Sequence, residues 1–198
     1  RLTACGRNAN GQLGDGTTTD RASPAAITSN VGAVTAGGSH SLFLKADGSL
    51  WATGGNSSGQ LGDGSTTNQT TPVQASDDVL VAAAGQLHSL FVTTDNKLWA
   101  MGSNSIGQLG DGTTTDHPIP VHVADDVLAV AAGNSHSLFL DSGGTLWAMG
   151  SNSQGELGDG TTTDRPTPVQ VATDVVDIAA GASHSMFIKA DATLWAMG

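Results

Sequence analysis

The sequence predicts an all-β protein assembled from one repeated unit, and three observations support this prediction. The chain repeats itself every 48 residues without a gap, and a period of this size is typical of propellers, solenoids and related arrays. Glycine is abundant, at 27 of 198 residues, and short apolar segments alternate with stretches of Gly, Asn, Asp and Thr. No segment shows sustained helical periodicity, so no helix is expected.

The unit is recognised by residues that recur at fixed positions. Each copy holds one histidine, one tryptophan and one Gly-Gln-Leu-Gly-Asp-Gly segment, in which Glu156 replaces the glutamine of the last copy. These features are His40, His88, His136 and His184; Trp51, Trp99, Trp147 and Trp195; and residues 11–16, 59–64, 107–112 and 155–160. We expect a single array over residues 1–198, with approximate periods 1–48, 49–96, 97–144 and 145–192 and a terminal strand at 193–198.

Each unit contains four strand signals. The first, for example Val127–Gly133, ends in small residues, which suits a strand where several backbones converge. The second is His136–Leu140 and the third is Thr145–Met149. The fourth, Thr167–Val171, is weaker, and its Pro168 restricts it to a sheet edge or a strand start.

The third strand indicates how the sheets pack. Because side chains alternate between the two faces of a strand, Leu146 and Ala148 point one way while Trp147 and Met149 point the other. Both faces are apolar, so the sheet has to be covered on both sides. A small sheet with two apolar faces, repeated in tandem, is what a β-propeller blade requires.

Turn residues at hairpin spacing connect the second strand to the third. They are Asp47-Gly48, Asp95-Asn96 and Gly143-Gly144. A β-solenoid is the competing geometry, but its coils are usually about half as long and lack such hairpins. The sequence therefore predicts a β-propeller made of small four-stranded antiparallel sheets.

The unit closely resembles the repeat of the regulator of chromosome condensation family, the RCC1-like repeats. The resemblance is carried by Val130–Gly133, His136–Leu140, Leu146–Gly150, Asn152 and Gly155–Gly160, and it extends over essentially the whole chain. It implies a β-propeller of four-stranded blades, typically seven of them. The namesake of the family is a nucleotide-exchange factor that docks on chromatin, and a basic surface of that kind has no counterpart here.

The repeat count departs from that pattern. The chain holds four repeats and six further residues, and those six, Arg1–Gly6, occupy the same repeat positions as Thr193–Gly198. We expect either a segment of a longer array or an open module that associates with copies of itself.

Charge and cysteine content exclude several classes of function. The net charge is −11, from 7 basic and 18 acidic residues, which disfavours binding to nucleic acid. The longest apolar run, Val79–Ala84, is too short to span a bilayer, so no membrane insertion is expected.

Cys5 is the only cysteine, and its counterparts Thr53 and Met101 indicate a packed small hydrophobe. We expect a bacterial protein, extracellular or at the cell surface, with a cytoplasmic location also possible.

The side chains that could carry chemistry all have a structural interpretation. His136 and Ser137 are adjacent on a strand, so they point to opposite faces and form no catalytic pair. We expect each repeat histidine to be half-buried and bonded to a neighbouring backbone group, with a ring of four histidines around a metal as the alternative. Residues 159–164 could hold Ca²⁺, but two carboxylates five residues apart favour a turn. The tryptophans favour an interblade core over a glycan platform.

The sequence thus predicts a non-catalytic protein-interaction scaffold with no catalytic, cofactor or metal residues. Its partner is expected to be a protein or another copy of the chain. Candidate contacts lie where the repeats differ by exposed apolar or unusual residues on loops, namely Leu87, Ile106, His117, Ile119 and His122. The alternatives are a self-assembling surface protein, a regulator of a small GTPase and a glycan-binding propeller.

Overall fold

The computed structural model describes all residues, 1–198, as five antiparallel sheets in a row. Three complete blades have four strands each. Blade I comprises β3 (Val31–Ala36), β4 (His40–Lys45), β5 (Leu50–Gly54) and β6 (Gln69–Ser76). Blade II comprises β7 (Val79–Ala84), β8 (His88–Thr93), β9 (Leu98–Gly102) and β10 (His117–Ala124). Blade III comprises β11 (Val127–Ala132), β12 (His136–Asp141), β13 (Leu146–Gly150) and β14 (Arg165–Ala172).

An incomplete sheet lies on each side of the three blades. We call the first the leading sheet; it consists of β1 (Leu2–Gly6) and β2 (Arg21–Thr28), which correspond to the third and fourth strands of a blade. The trailing sheet consists of β15 (Val175–Ala180), β16 (Ser185–Lys189) and β17 (Leu194–Met197), the first three strands of a blade. None of the secondary structure is helical, so the fold contains no helix of the length and apolarity needed to cross a membrane.

The blades form by the alternation that the sequence indicates. In blade III, Leu146 and Ala148 pack towards the trailing sheet, whereas Met149 packs towards blade II. Three pairs of neighbouring sheets, from blade I to the trailing sheet, therefore each share one apolar cluster. The cluster between blades II and III joins Leu90, Leu98 and Leu109 to Phe139 and Met149 of the next blade. A blade spans parts of two consecutive sequence periods, because its strands begin at residue 31, 79 or 127.

The innermost strands converge as their small residues predict. β3, β7, β11 and β15 lie next to one another, and backbone hydrogen bonds connect their ends. Gly38 N donates to Gly85 O at 3.2 Å, and Asn134 N donates to Ala182 O at 3.0 Å. The small glycine and alanine side chains at the strand ends leave room for the backbones to approach this closely.

The hairpins between second and third strands are slightly longer than a two-residue turn. Lys45 N donates to Ser49 O, which leaves residues 46–48 in the turn. Gly48 has a φ of +83°, and Asn96 takes the same left-handed conformation with a φ of +59°. Glycine and asparagine are the residues that adopt this conformation most readily, which explains their recurrence at this position.

A second connection between blades runs through the long loop after each third strand. The Gly-Gln-Leu-Gly-Asp-Gly segment of one sheet lies on the outermost strand of the next sheet. Its last glycine donates a backbone hydrogen bond to that strand: Gly16 N to Thr70 O, Gly64 N to Pro118 O and Gly112 N to Pro166 O, at 2.9, 3.0 and 2.9 Å. All six prolines of the chain lie in the outermost strands. Because proline has no N–H donor, these edge strands are less able to pair with a further strand.

Cys5 corrects one expectation from the sequence. Its counterpart Met101 packs against Leu61 of the preceding blade, whereas Cys5 is exposed. It lies in the leading sheet, and residues 1–198 supply no sheet on the side where the repeat packs elsewhere.

The loop contact between blades predicts a difference between two equivalent glycines. Gly59 and Gly155 have φ values of +83° and +86°, but a Cβ on Gly59 would overlap Pro118, whereas a Cβ on Gly155 would meet nothing within 4 Å. We expect Gly155→Ala to lose about 1–2 kcal/mol, the cost of a left-handed L-residue. Gly59→Ala should lose about 2 kcal/mol more, because its loop cannot lie on β10. Urea unfolding of both variants measures this, and equal losses would contradict the loop contact.

Candidate functional site

A repeated pair of polar side chains lies in the seam between neighbouring sheets. The first member is the histidine near the start of the second strand, and the second is a serine on the second strand of the following sheet. The pairs are His40–Ser89, His88–Ser137 and His136–Ser185, each with 2.9 Å between Nε2 and Oγ. All three histidines are at most 1% exposed. Three of the four seams, all except the one between the leading sheet and blade I, therefore hold one fully buried histidine–serine bond between adjacent sheets.

The geometry assigns the protons in these pairs. Ser137 Oγ also lies 2.7 Å from the backbone carbonyl of Gln108, and a carbonyl can only accept a hydrogen bond. The hydroxyl proton therefore points to the carbonyl, and His88 Nε2 donates to the serine oxygen. A histidine that donates cannot take up the serine proton, so the pair does not generate a nucleophile.

Burial keeps the seam histidines neutral. It lowers the pKa of His40 to about 4. Burial lowers the pKa of His88 to about 3, and the neighbouring His40 and His136 act in the same direction. The pKa of His136 is also lowered by burial, although the carboxylate of Glu156 opposes the shift. Neutral imidazoles suit a donor role in a dry interface.

The expectation of a half-buried histidine bonded to a neighbouring backbone is wrong for these residues. They are completely buried, and the partner is a side chain of the next repeat. The neighbouring glycine makes this possible, since a Cβ on Gly85 would overlap the His88 ring. His184 is exposed, because no sheet follows the trailing sheet. The structure contains no group of three or more His, Cys, Asp or Glu side chains that could hold a metal ion.

A buried asparagine organises each long loop. In blade II, Asn104 Oδ1 accepts from Leu109 N at 3.0 Å, while Nδ2 donates to Asp111 Oδ1 at 2.9 Å and to Thr113 O at 3.2 Å. Its backbone N–H donates to Asp116 Oδ1 at 2.8 Å. The equivalent residues Asn8, Asn56 and Asn152 are buried in the same way. The loop shape therefore depends on one internally bonded amide.

The carboxylates of these loops are surrounded by donors of the chain itself. Asp159 accepts from Asn152 Nδ2, Thr161 Oγ1 and Arg165 Nε at 3.0, 2.7 and 2.7 Å. Burial alone would raise the pKa of Asp159, but the hydrogen bonds from Thr161 and Arg165 lower it to about 2. The donors already present favour the turn interpretation of residues 159–164 over a calcium loop.

The five predicted contact residues all lie in blade II, but they do not form one patch. Leu87 and Ile106 are half-buried near the end of the blade where the long loop begins, and Ser103 N donates to Leu87 O at 2.8 Å. His117 Nε2 lies 2.8 Å from Asp111 Oδ2 of the long loop, so this side chain is turned towards the loop.

The other two lie further along the outermost strand. Ile119 is 63% exposed, the most exposed of the five. His122 packs edge-on against Trp99, with 5.5 Å between ring centroids, and its Nε2 lies 3.1 Å from Asp125 Oδ1. Of the set, Ile119 is therefore the side chain most available to a partner.

The tryptophans are less buried than an interblade core implies. Trp51, Trp99 and Trp147 are half-buried, and Trp195 is 52% exposed. Trp147 stacks on Phe139 with 6.1 Å between centroids, and its indole N–H donates to Asp141 at 2.9 Å. Trp99 and Trp195 also line open clefts between sheets.

Sequence reasoning missed the groove between blades I and II, where Asp77, Asp78 and Trp99 come together. The signal was present in the repeat register. The position held by Lys45 in blade I is Thr93 in blade II, and this change removes the cation that covers the tryptophan in blade I.

Comparison with known families gives a match over nearly the whole chain. A model described as the regulator of chromosome condensation (RCC1) repeat matches residues 1–44, 47–92, 95–140 and 143–188. A second model of the same repeat matches residues 33–60, 80–108 and 127–156. Comparison with curated proteins gives no match.

Solved structures share the fold. Human WBSCR16 superposes with a TM-score of 0.87 and 22% identity, over 99% of this chain and 56% of its own. Yeast RCC1 (Prp20), solved bound to Kap60, gives 0.80 and 24% over 93% of this chain and 48% of its own. A second structure of Prp20p, from Saccharomyces cerevisiae, gives 0.79 and 24% over 89% and 48%. The chain thus spans about half the length of the structures it matches.

The buried amide of the long loop should be essential for stability. Asn104→Ala would leave the Leu109 N–H and the loop acceptors without partners, and each unsatisfied buried group costs about 1–3 kcal/mol. We expect a loss of at least about 2 kcal/mol in urea unfolding. The exposed Asn134→Ala is the control and should change stability by less than about 0.5 kcal/mol. Similar losses in both variants would contradict the role of Asn104.

The seam histidines should make stability depend on pH. The unfolded chain binds protons on histidine below a pKa of about 6.5, whereas His40 and His88 resist protonation down to about 4 and 3. Stability should therefore fall as the pH decreases from about 6.5 towards 4, by about 3 kcal/mol per histidine. His88→Gln should be less stable at neutral pH but show a shallower slope over this range. The exposed His122→Gln serves as control, and an unchanged slope in His88→Gln would refute the assignment.

Proposed function

Because the chain belongs to the regulator of chromosome condensation (RCC1) repeat family, we propose that it acts as a non-catalytic protein-interaction scaffold within a larger propeller or repeat protein. The observation that carries this proposal is that the polar side chains shared by the repeats form hydrogen bonds within the chain. The repeat histidines, serines, asparagines and loop aspartates bond to one another in the seams and loops. What remains for a ligand is the set of exposed residues that differ between repeats.

The internally bonded loops and the prolines of the outermost strands support the same function. Every long loop is held by its asparagine, and the first three loops also lie on the outermost strand of the following sheet. The surfaces of these loops are therefore fixed before any partner binds. A preorganised surface loses little entropy on binding. The prolines of the outer strands discourage uncontrolled pairing of sheet edges.

Structures of similar fold have protein partners. Yeast Prp20 was solved bound to Kap60, and the other Prp20p structure was reported with its binding to Gsp1p and histones. Those partners belong to those proteins. They support a protein as the class of partner for this chain, and the array over residues 1–198 then serves as one binding unit.

The proposal predicts that capture of a partner depends on Ile119. We expect the immobilised chain to retain a protein from extracts of its source cells, and Ile119→Asp to reduce that retention about tenfold or more, as loss of a central contact does. Leu128→Asp, an apolar residue of comparable exposure on β11, is the matched control.

Quantitative mass spectrometry of the retained proteins measures both effects. If the retained protein is eluted without chemical modification, the result supports a scaffold. Covalent modification of a retained molecule during incubation would contradict a non-catalytic role. Equal retention by the wild type and both variants would place the contact surface elsewhere.

A further inference from the structure

The tryptophan of each blade lies in the middle of a row of side chains that face the preceding sheet. In blade II, Phe91, Trp99 and His122 are aligned in register across β8, β9 and β10. Phe91 is buried, Trp99 is half-buried and His122 is exposed. The row therefore leads from the apolar core to solvent and forms one wall of a groove.

Two of the four tryptophans are covered by a lysine of the chain. Lys45 Nζ lies 3.8 Å from the ring centroid of Trp51, and Lys189 Nζ lies 5.5 Å from that of Trp195. Both lysines occupy the same repeat position. An ammonium group above an indole face is attracted by the quadrupole of the ring. This repeat position thus delivers a cation to the tryptophan face.

Blade II keeps the tryptophan but lacks the lysine, because Thr93 occupies the position. Trp99 contributes to an open cleft of about 470 Å³ between blades I and II. Asp77 and Asp78 of the turn between β6 and β7 line one side, and Asp95 and Lys97 line the other. The cleft has the same tryptophan surface as the grooves in which a lysine covers the ring, but the space next to Trp99 is open.

The charge of this cleft is negative. Lys97 Nζ lies 2.7 Å from Asp95 Oδ2, so these two charges offset each other. Asp77 and Asp78 are exposed, and Asp77 Oδ1 accepts a hydrogen bond from Gln74 Nε2 at 2.7 Å. Neither carboxylate forms a salt bridge. Asp78 adopts a left-handed φ of +55°, but Asn30 adopts +59° at the equivalent position, so the turn does not require a carboxylate.

Loss of the lysine and gain of turn carboxylates occur together along the array. The groove before blade I has Lys45 with the neutral turn Ser29-Asn30, and the groove before the trailing sheet has Lys189 with Thr173-Asp174. The grooves before blades II and III have Thr93 with Asp77-Asp78 and Asp141 with Asp125-Asp126. Two adjacent grooves in the middle of the array therefore combine a tryptophan that lacks the covering lysine with a carboxylate pair.

We propose that the cleft between blades I and II binds a lysine or arginine side chain of a protein partner, over Trp99 and between Asp77 and Asp78. The bound cation would take the place that Lys45 takes above Trp51. The groove between blades II and III has the same charge sign, so the partner presents a basic surface to both. This inference rests on the proposed scaffold function and specifies the chemistry of the partner.

A labelled peptide tests the cleft directly. The probe is a short fluorescein-labelled peptide of alternating lysine and alanine, with a glutamate–alanine peptide as control, and binding is measured by fluorescence anisotropy. We expect the wild-type chain to bind only the lysine peptide. Thr93→Lys copies the arrangement of blade I, so the variant should fold and should bind the peptide about tenfold more weakly.

A charge-matched variant separates the cleft from the overall charge of the protein. Ser105→Lys adds the same charge at an exposed site in the long loop of blade II and should weaken binding less than about twofold. Equal weakening by both variants, or no binding of the lysine peptide, would overturn the cleft. If Thr93→Lys retains the cellular partner undiminished, the cleft is refuted while the scaffold function stands.

Discussion

The structure depends on the need to cover both faces of every sheet. A blade of this protein presents leucine and alanine on one face and phenylalanine, tryptophan and methionine on the other, so each face requires a neighbour. Packing against the adjacent blade buries both faces, and the small residues of the inner strands allow the sheets to converge. Stability is consequently a property of interfaces, as in other arrays whose units contact only their neighbours.

Polar bonds give these apolar interfaces a defined geometry. The apolar clusters alone would tolerate small rotations of one blade on the next, because hydrophobic contact has no direction. A buried hydrogen bond has one, and an unsatisfied donor in a dry seam costs free energy. The bond from His88 to Ser137, continued to the carbonyl of Gln108, therefore fixes the position of blade III relative to blade II. The loop on the outer strand fixes the same relation at a larger radius.

The sequence was sufficient for the strands and for the propeller, because alternation and period depend on local chemistry. It was not sufficient for the relations between repeats. The partner of His88 lies 49 residues away, in the next repeat. The residues of a single repeat do not determine the rotation between neighbouring blades, so the pairing could not be predicted from them. The exposure of Cys5 depends on the absence of a preceding sheet, and the open edge of Trp99 depends on the width of a groove. Residue spacing alone specifies neither.

The seam bond also makes the array directional. In the three seams that hold such a pair, the histidine belongs to the earlier sheet and the serine to the later one. A two-fold axis between two blades would place donor against donor and acceptor against acceptor, so this contact cannot be isologous. Contacts of this heterologous kind either close into a rotational ring or continue without limit. The direction of growth is thus encoded in one type of imidazole–hydroxyl bond, and duplication of a 48-residue segment would extend the array without any new interface having to evolve.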